Sequence, residues 1–221
     1  MKNFIFKMVF ISILILSSCS YIGFQYISNE VSSENKITNI YILNDIAPFE
    51  SVENLTLGST HIVRAEVLDE RVEKFNVIIP FELLEPELQS INPHEYRNYL
   101  YDVFTVYNIR VLEVFKGNID INEIVEVRIL GGQLDDLNVI SFDETFLYIG
   151  DELILFMYES FFENEPFFLS SPSQAVYRVI EQSQDGLIRA LGAITFESLS
   201  PNNSLTLTLE DLERVAEENN R

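Results

Sequence analysis

The chain has 221 residues, 47% of them apolar, and carries 35 acidic side chains against 14 basic ones, a formal charge of −21. That imbalance argues against a nucleic-acid partner, which is held by Lys and Arg set against phosphates, and against a grip on anionic lipid through basic clusters. A chain of this length buries one good core or two small ones, and 17 Phe and 10 Tyr with no Trp suggest an aromatic-rich β core.

The N-terminus carries Lys2 and Lys7 and no acid, then an apolar run from Met8 to Leu16, then Ser17 and Ser18. A basic start, a short apolar stretch and small residues before a cut form a secretory signal. A helix needs about 20 apolar residues to span a bilayer, so this run is too short for a permanent anchor. Leu16-Ser17-Ser18-Cys19 resembles the bacterial lipobox. The resemblance implies cleavage between Ser18 and Cys19, a diacylglyceryl group on the Cys19 thiol and acylation of the new amine. One acyl chain binds membranes marginally, whereas two or more anchor stably. Cys19 is the only cysteine, so no internal disulfide forms. Cleavage removes two basic residues and no acid, leaving 12 against 35 and a charge of −23 on the mature chain.

Residues 19–44 mix Ser, Asn and Glu without a clean period and read as a spacer between lipid and domain, with the domain itself at 45–221. Ser51 is placed to cap a short helix ending at Gly58. In 61–73, Val63, Ala65 and Val67 alternate with Arg64 and Glu66, the period of a half-buried strand. Asn76 to Leu100 reads as an insertion carrying a helix, with Asn92 as cap, Pro93 at the first helical position and Glu95 in the first turn. Along 102–115, Tyr107, Ile109 and Val111 share one face before Leu112 and Val114 take over the phase, which predicts a bulge in that strand. A strand over 121–130 follows, with Val125, Val127 and Ile129 inward, and Gly131-Gly132 ends it. The unbroken apolar run 153–157 predicts a strand covered on both faces. A hairpin over 175–181 and 187–190 would turn at Ser183 to Gly186. Thr208 and Asp211 form a capping box for a last helix, with Leu209, Leu212 and Val215 as its apolar stripe. The expected fold is mainly β, a small barrel or sandwich with two or three helices, among them an inserted short helix and a C-terminal helix.

Three stretches, IRVLEVFKGN at 109–118, VRILGG at 127–132 and IGDELILF at 149–156, resemble in order and spacing a widespread family of secreted bacterial domains, often lipoproteins. The resemblance covers about Leu57 to Leu191. It implies a closed five-stranded barrel of the OB type, distantly similar to netrin-like and metalloproteinase-inhibitor domains. It brings no established activity. Inhibitors of the latter type chelate zinc through an N-terminal cysteine amine, which an acylated Cys19 does not offer.

Common catalytic patterns are missing. His94-Glu95-Tyr96-Arg97-Asn98 approaches a zinc-protease helix, but Asn98 stands where the second histidine belongs. His61 opens a strand and reads as an edge residue. Asp135-Asp136, after the glycine pair, suggests a calcium loop or, more simply, a solvated turn. The surface candidate is aromatic: Phe161-Phe162 and Phe167-Phe168 flank a polar four-residue segment. Each adjacent pair on a strand puts one ring on either face, so two rings need cover, from the insertion near Tyr96 and Tyr99 or from a partner. No metal or cofactor is expected. The expected role is a lipid-anchored module on the extracytoplasmic face of the cell membrane, binding an envelope protein or cell-wall component. The alternatives are a metal-assisted hydrolase using carboxylates with His61 or His94, and a structural envelope spacer.

Overall fold

The computed structural model describes residues 11–13, 22–26, 37–44, 47–76, 101–142, 145–160, 164–181 and 194–219. In chain order these form β1 (Ile11–Ile13), β2 (Ile22–Tyr26), β3 (Thr38–Asn44), α1 (Val52–Gly58), β4 (His61–Asn76), β5 (Tyr101–Lys116), β6 (Ile124–Leu130) and β7 (Gly132–Leu134). There follow β8 (Leu137–Ser141), β9 (Glu152–Tyr158), β10 (Phe167–Leu169), β11 (Val176–Glu181), β12 (Ile194–Ser198) and α2 (Leu209–Asn219). The protein is mainly β with a C-terminal helix. The helix expected after Asn92, the turn at Ser183 to Gly186 and the strand at 187–190 lie outside the described residues; β11 pairs with β12, from Tyr177↔Ser198 to Glu181↔Ile194. No helix among the described residues is long and apolar enough to cross a membrane.

Seven strands lie in the order β10-β6-β5-β4-β9-β11-β12, and β10 also pairs with β9. The strands β6-β5-β4-β9-β10 therefore form a ring of five. Its closing strand is only three residues long and runs parallel to β6 and antiparallel to β9. Register sets Val63 opposite Leu155 and Ala65 opposite Leu153, all four fully buried. Alternation sends Arg64 and Glu66 to the other face. Tyr107, Ile109 and Val111 of β5 and Val125, Val127 and Ile129 of β6 join the same core. Strand β9 is buried on both faces, as its apolar run suggested: Phe156, alternating with Leu155 and Met157, meets Tyr177 of β11 edge-on at 6.0 Å. Each such side chain contributes about 1.5–3 kcal/mol by leaving water. Helix α1 lies against β9 and α2.

Beyond Val111 the alternation of β5 breaks down without a clean change of phase: Glu113 is exposed, Leu112 and Val114 are half-buried with Val114 packed against the core, and Phe115 is buried. The irregularity belongs to the approach to β6. Val111 N–H donates to the Glu123 carbonyl at 2.9 Å, and Asn122 N–H donates to the Val111 carbonyl at 2.7 Å. Two residues thus oppose one, which is a bulge, and Asn122 takes the left-handed conformation, φ 70°, that it makes possible. This turn delays the strand, which begins at Ile124 rather than Ile121.

The outer faces of these strands are charged. Arg64 pairs with Glu152, Arg110 with Glu66 at 3.0 Å, Arg71 with Glu126 at 2.8 Å and Arg178 with Asp151 at 2.7 Å. Glu66 and Glu152 stand directly opposite one another in the β4–β9 register, a repulsion relieved by Arg110 and Arg64 from either side. These pairs are substantially exposed, so each adds about 0–1 kcal/mol.

Ser51 caps α1 by accepting from Asn54 N–H at 3.1 Å. Before α2, Asp211 N–H donates to Thr208 Oγ1 at 3.2 Å and Thr208 N–H donates to Asp211 Oδ2 at 3.1 Å, the reciprocal bonds of a capping box. Leu212 and Val215 are buried, but Leu209 is 42% exposed; Leu207, just before the helix, fills the place expected for it. Thr208→Ala removes the side-chain acceptor, and a loss of about 1 kcal/mol is expected, read as a fall of roughly 2–4 °C in a thermal melt.

The chain divides into two compact units: parts of Met1–Ala47, Val72–Phe104 and Leu130–Asp143 form one, and parts of Pro48–Arg71, Thr105–Ile129 and Glu144–Arg221 the other. The first contains a five-stranded sheet, β1-β2-β3-β8-β7. The stretch read as a spacer therefore contributes two strands, β2 and β3. Strand β3 runs parallel to β8, from Thr38↔Leu137 to Ile42↔Ser141. Ile42 and Val139 are buried in this sheet, and Asn138 Nδ2 donates to Asn39 Oδ1 at 3.0 Å.

Candidate functional site

Cys19 and Ser18 lie outside the described residues, as do Phe161, Phe162 and His94. Phe167 and Phe168 are half-buried on β10. Phe167 meets the His61 ring edge-on at 4.9 Å. Phe168 stacks on Tyr158 of β9 at 5.1 Å and lies under the Arg128 guanidinium of β6, 3.9 Å from its ring centroid. The rings thus serve the two seams at which β10 closes the ring of strands.

Arg128 is the unusual member of that cluster. Strand alternation turns it away from Val127 and Ile129, yet its side chain is only 3% exposed. Glu165 accepts from Arg128 Nη2 at 2.7 Å and from Ser160 Oγ at 2.8 Å. Burial lowers the guanidinium's pKa and Glu165 raises it. A charge taken out of water in this way is held only while its carboxylate partner stays beside it.

His61 is buried, not the edge residue expected, because its register partner is Met157 and its side chain shares the inward face of Val63 and Ala65. Its Nδ1 lies 2.9 Å from Thr60 Oγ1 and its Nε2 lies 3.6 Å from Glu159 Oε1. Burial lowers its pKa from 6.5, partly countered by Glu159 and reinforced by Lys116. A neutral ring with its proton on Nε2 and Nδ1 accepting from Thr60 suits these neighbours. Thr60, His61 and Glu159 stand in the order of a nucleophile, a base and an orienting acid, but the threonine oxygen also accepts from Glu159 N–H at 3.1 Å. The ring is sealed by Phe167 and by the backbone of Gly117. The arrangement ties the start of β4 to the end of β9.

Asp135 and Asp136 form the exposed two-residue turn between β7 and β8, Leu134 pairing with Leu137. Among the described residues no group of three or more His, Cys, Asp or Glu side chains gathers to hold a metal. Each of the six described arginines, at 64, 71, 110, 128, 178 and 214, pairs with a carboxylate.

Among the described residues, the exposed apolar side chains lie elsewhere than at Phe167 and Phe168. Between β8 and β9, Thr145 and Leu147 are buried while Phe146, Tyr148 and Ile149 face outward, the last two 64% and 60% exposed. In the five-stranded sheet, Phe142 is 61% exposed and stacks on Tyr41 at 5.7 Å, with the ring planes 12° apart. The sequence carried a sign of the first group, since apolar residues alternate through Phe146 and Tyr148 with nothing polar to mark an outer face. Comparison of the chain with family models, with curated proteins and with solved structures gives no match.

Proposed function

We propose that the protein is a bacterial lipoprotein, tethered through Cys19 to the extracytoplasmic face of the cell membrane, and that it acts as an interaction module rather than an enzyme. The observation that carries this reading is the N-terminal sequence: two lysines, a nine-residue apolar run and Leu16-Ser17-Ser18-Cys19, with no other cysteine in the chain. Cleavage before Cys19 would also remove β1 and leave β2 at the edge of its sheet. The domain is an OB-like closed barrel in this reading. The circuit β4-β5-β6-β10-β9 supports it: numbered along the chain the five run 1-2-3-5-4, with strands 3 and 5 parallel, as in a five-stranded Greek-key barrel. The outward Phe146, Tyr148 and Ile149 favour a protein or cell-wall partner, and the commitment of the described arginines to carboxylates disfavours an anionic polymer.

Cys19→Ala, expressed in a host that processes lipoproteins, tests the tether. The expected result is accumulation of the unprocessed precursor and loss of acyl-dependent membrane retention. Unchanged processing and retention would overturn the reading.

A further inference from the structure

The five-stranded sheet has two chemically different ends. Strand β2 runs antiparallel to β3, with Phe24 opposite Asn44 and Tyr26 opposite Ile42, and β3 runs parallel to β8, with Ile42 opposite Ser141. Moving from that shared level toward Ile22 on β2 is therefore moving toward Asn44 on β3 and toward Phe142 beyond β8. Phe142, just beyond β8, is level with Leu43 and Gln25, about three residues short of the start of β2 and on its side of the sheet, and the ring of Tyr41, at the middle of β3, stacks on it. At the other end, Asp135 and Asp136 turn the chain into β8.

Cys19 precedes Ile22 by three residues. A chain reaches at most about 3.3–3.6 Å per residue, so an acyl group on Cys19 holds the first residue of β2 within about 11 Å of its attachment point. We infer that the Tyr41–Phe142 pair is a membrane-contact element, lying in the headgroup layer of the bilayer that holds the lipid and orienting the sheet with its Asp135–Asp136 end toward solution. This rests on the lipoprotein reading above. Aromatic rings favour the interface, where an apolar body meets a wet boundary. Phe142 is 61% exposed, its ring covered on one side by Tyr41. Asp143 and Glu144 follow Phe142 directly and Asp45 comes four residues after Tyr41, so the contact is made by rings and suits zwitterionic headgroups.

The absence of tryptophan makes the test direct. Full-length chain carrying Phe142→Trp is produced in a lipoprotein-processing host and placed in phosphatidylcholine vesicles with brominated acyl chains. A second chain carries Gln133→Trp, at the acidic end of the same sheet. Intact mass and flotation with the vesicles establish acylation first. Strong quenching and a blue-shifted emission are expected for F142W, with little of either for Q133W. An acylated, floating protein whose two positions are quenched equally, whether strongly or weakly, overturns the membrane contact and leaves the lipoprotein reading standing. A chain that is neither acylated nor floating overturns both.

Discussion

Gly117→Ala is expected to destabilise the protein by about 2–5 kcal/mol, from two sources that a second substitution separates. Gly117 ends the β5 hairpin with φ 98°, a conformation that costs an L-residue about 1–2 kcal/mol. A Cβ there would also lie 2.7 Å from His61 Cγ, and closer still to its Cδ2. The ring has nowhere to retreat, being buried on the inward face of β4, held by Thr60 at Nδ1 and met edge-on by Phe167. Forcing atoms into such a space costs roughly 1–3 kcal/mol. In a His61→Ala background the ring is gone, so Gly117→Ala should cost only its backbone part, about 1–2 kcal/mol. Urea unfolding at pH 8 measures this. There the imidazole is neutral in both states, since burial lowers its folded pKa from 6.5. Equal costs in the two backgrounds would show that the imidazole does not confine the turn.

That contact also marks where sequence patterning stops being informative. The alternation of Val63, Ala65 and Val67 was legible because apolar and charged residues take turns; His61 has the same parity, but a histidine at a strand start carries no apolar signal and so reads as an edge residue. The caps at Ser51 and at Thr208 with Asp211 were legible because they are local chemistry, complete within four residues. The bulge before β6 was local too, but the apolar sequence of β5 drew attention to Leu112, whereas the turn residue Asn122 held the cause. Closure of the ring was not legible at all. Strand β10 is three residues long, too short to show a period, and it pairs with β6 across some forty residues of chain. The phenylalanines that looked like a surface therefore include two that serve that seam, while the exposed rings at Phe142 and Tyr148 sat in a stretch that composition alone would bury.

If ring closure depends on the Arg128 cluster, Glu165→Gln should be among the most damaging conservative substitutions in the protein. It leaves the amide almost isosteric but removes the negative charge 2.7 Å from a guanidinium only 3% exposed. Breaking a buried pair from one side costs about 3–5 kcal/mol, because the remaining charge stays out of water. The loss should be read at β10 before it is read globally. Phe168 is held between Arg128 of β6 and Tyr158 of β9, so hydrogen exchange at Leu169 and at Ser170, whose N–H donates to the Phe156 carbonyl at 2.9 Å, should accelerate ahead of the β4 and β5 amides. Arg128→Met combined with Glu165→Gln removes both charges and keeps an unbranched apolar stem over Phe168. That double variant should recover most of the lost stability, since well-packed neutral groups replace buried ion pairs at little net cost. Recovery would identify desolvated charge as the cause of the E165Q defect. A double variant as unstable as E165Q would instead mean that the guanidinium's hydrogen bonds, and not its compensated charge, hold the short strand in place.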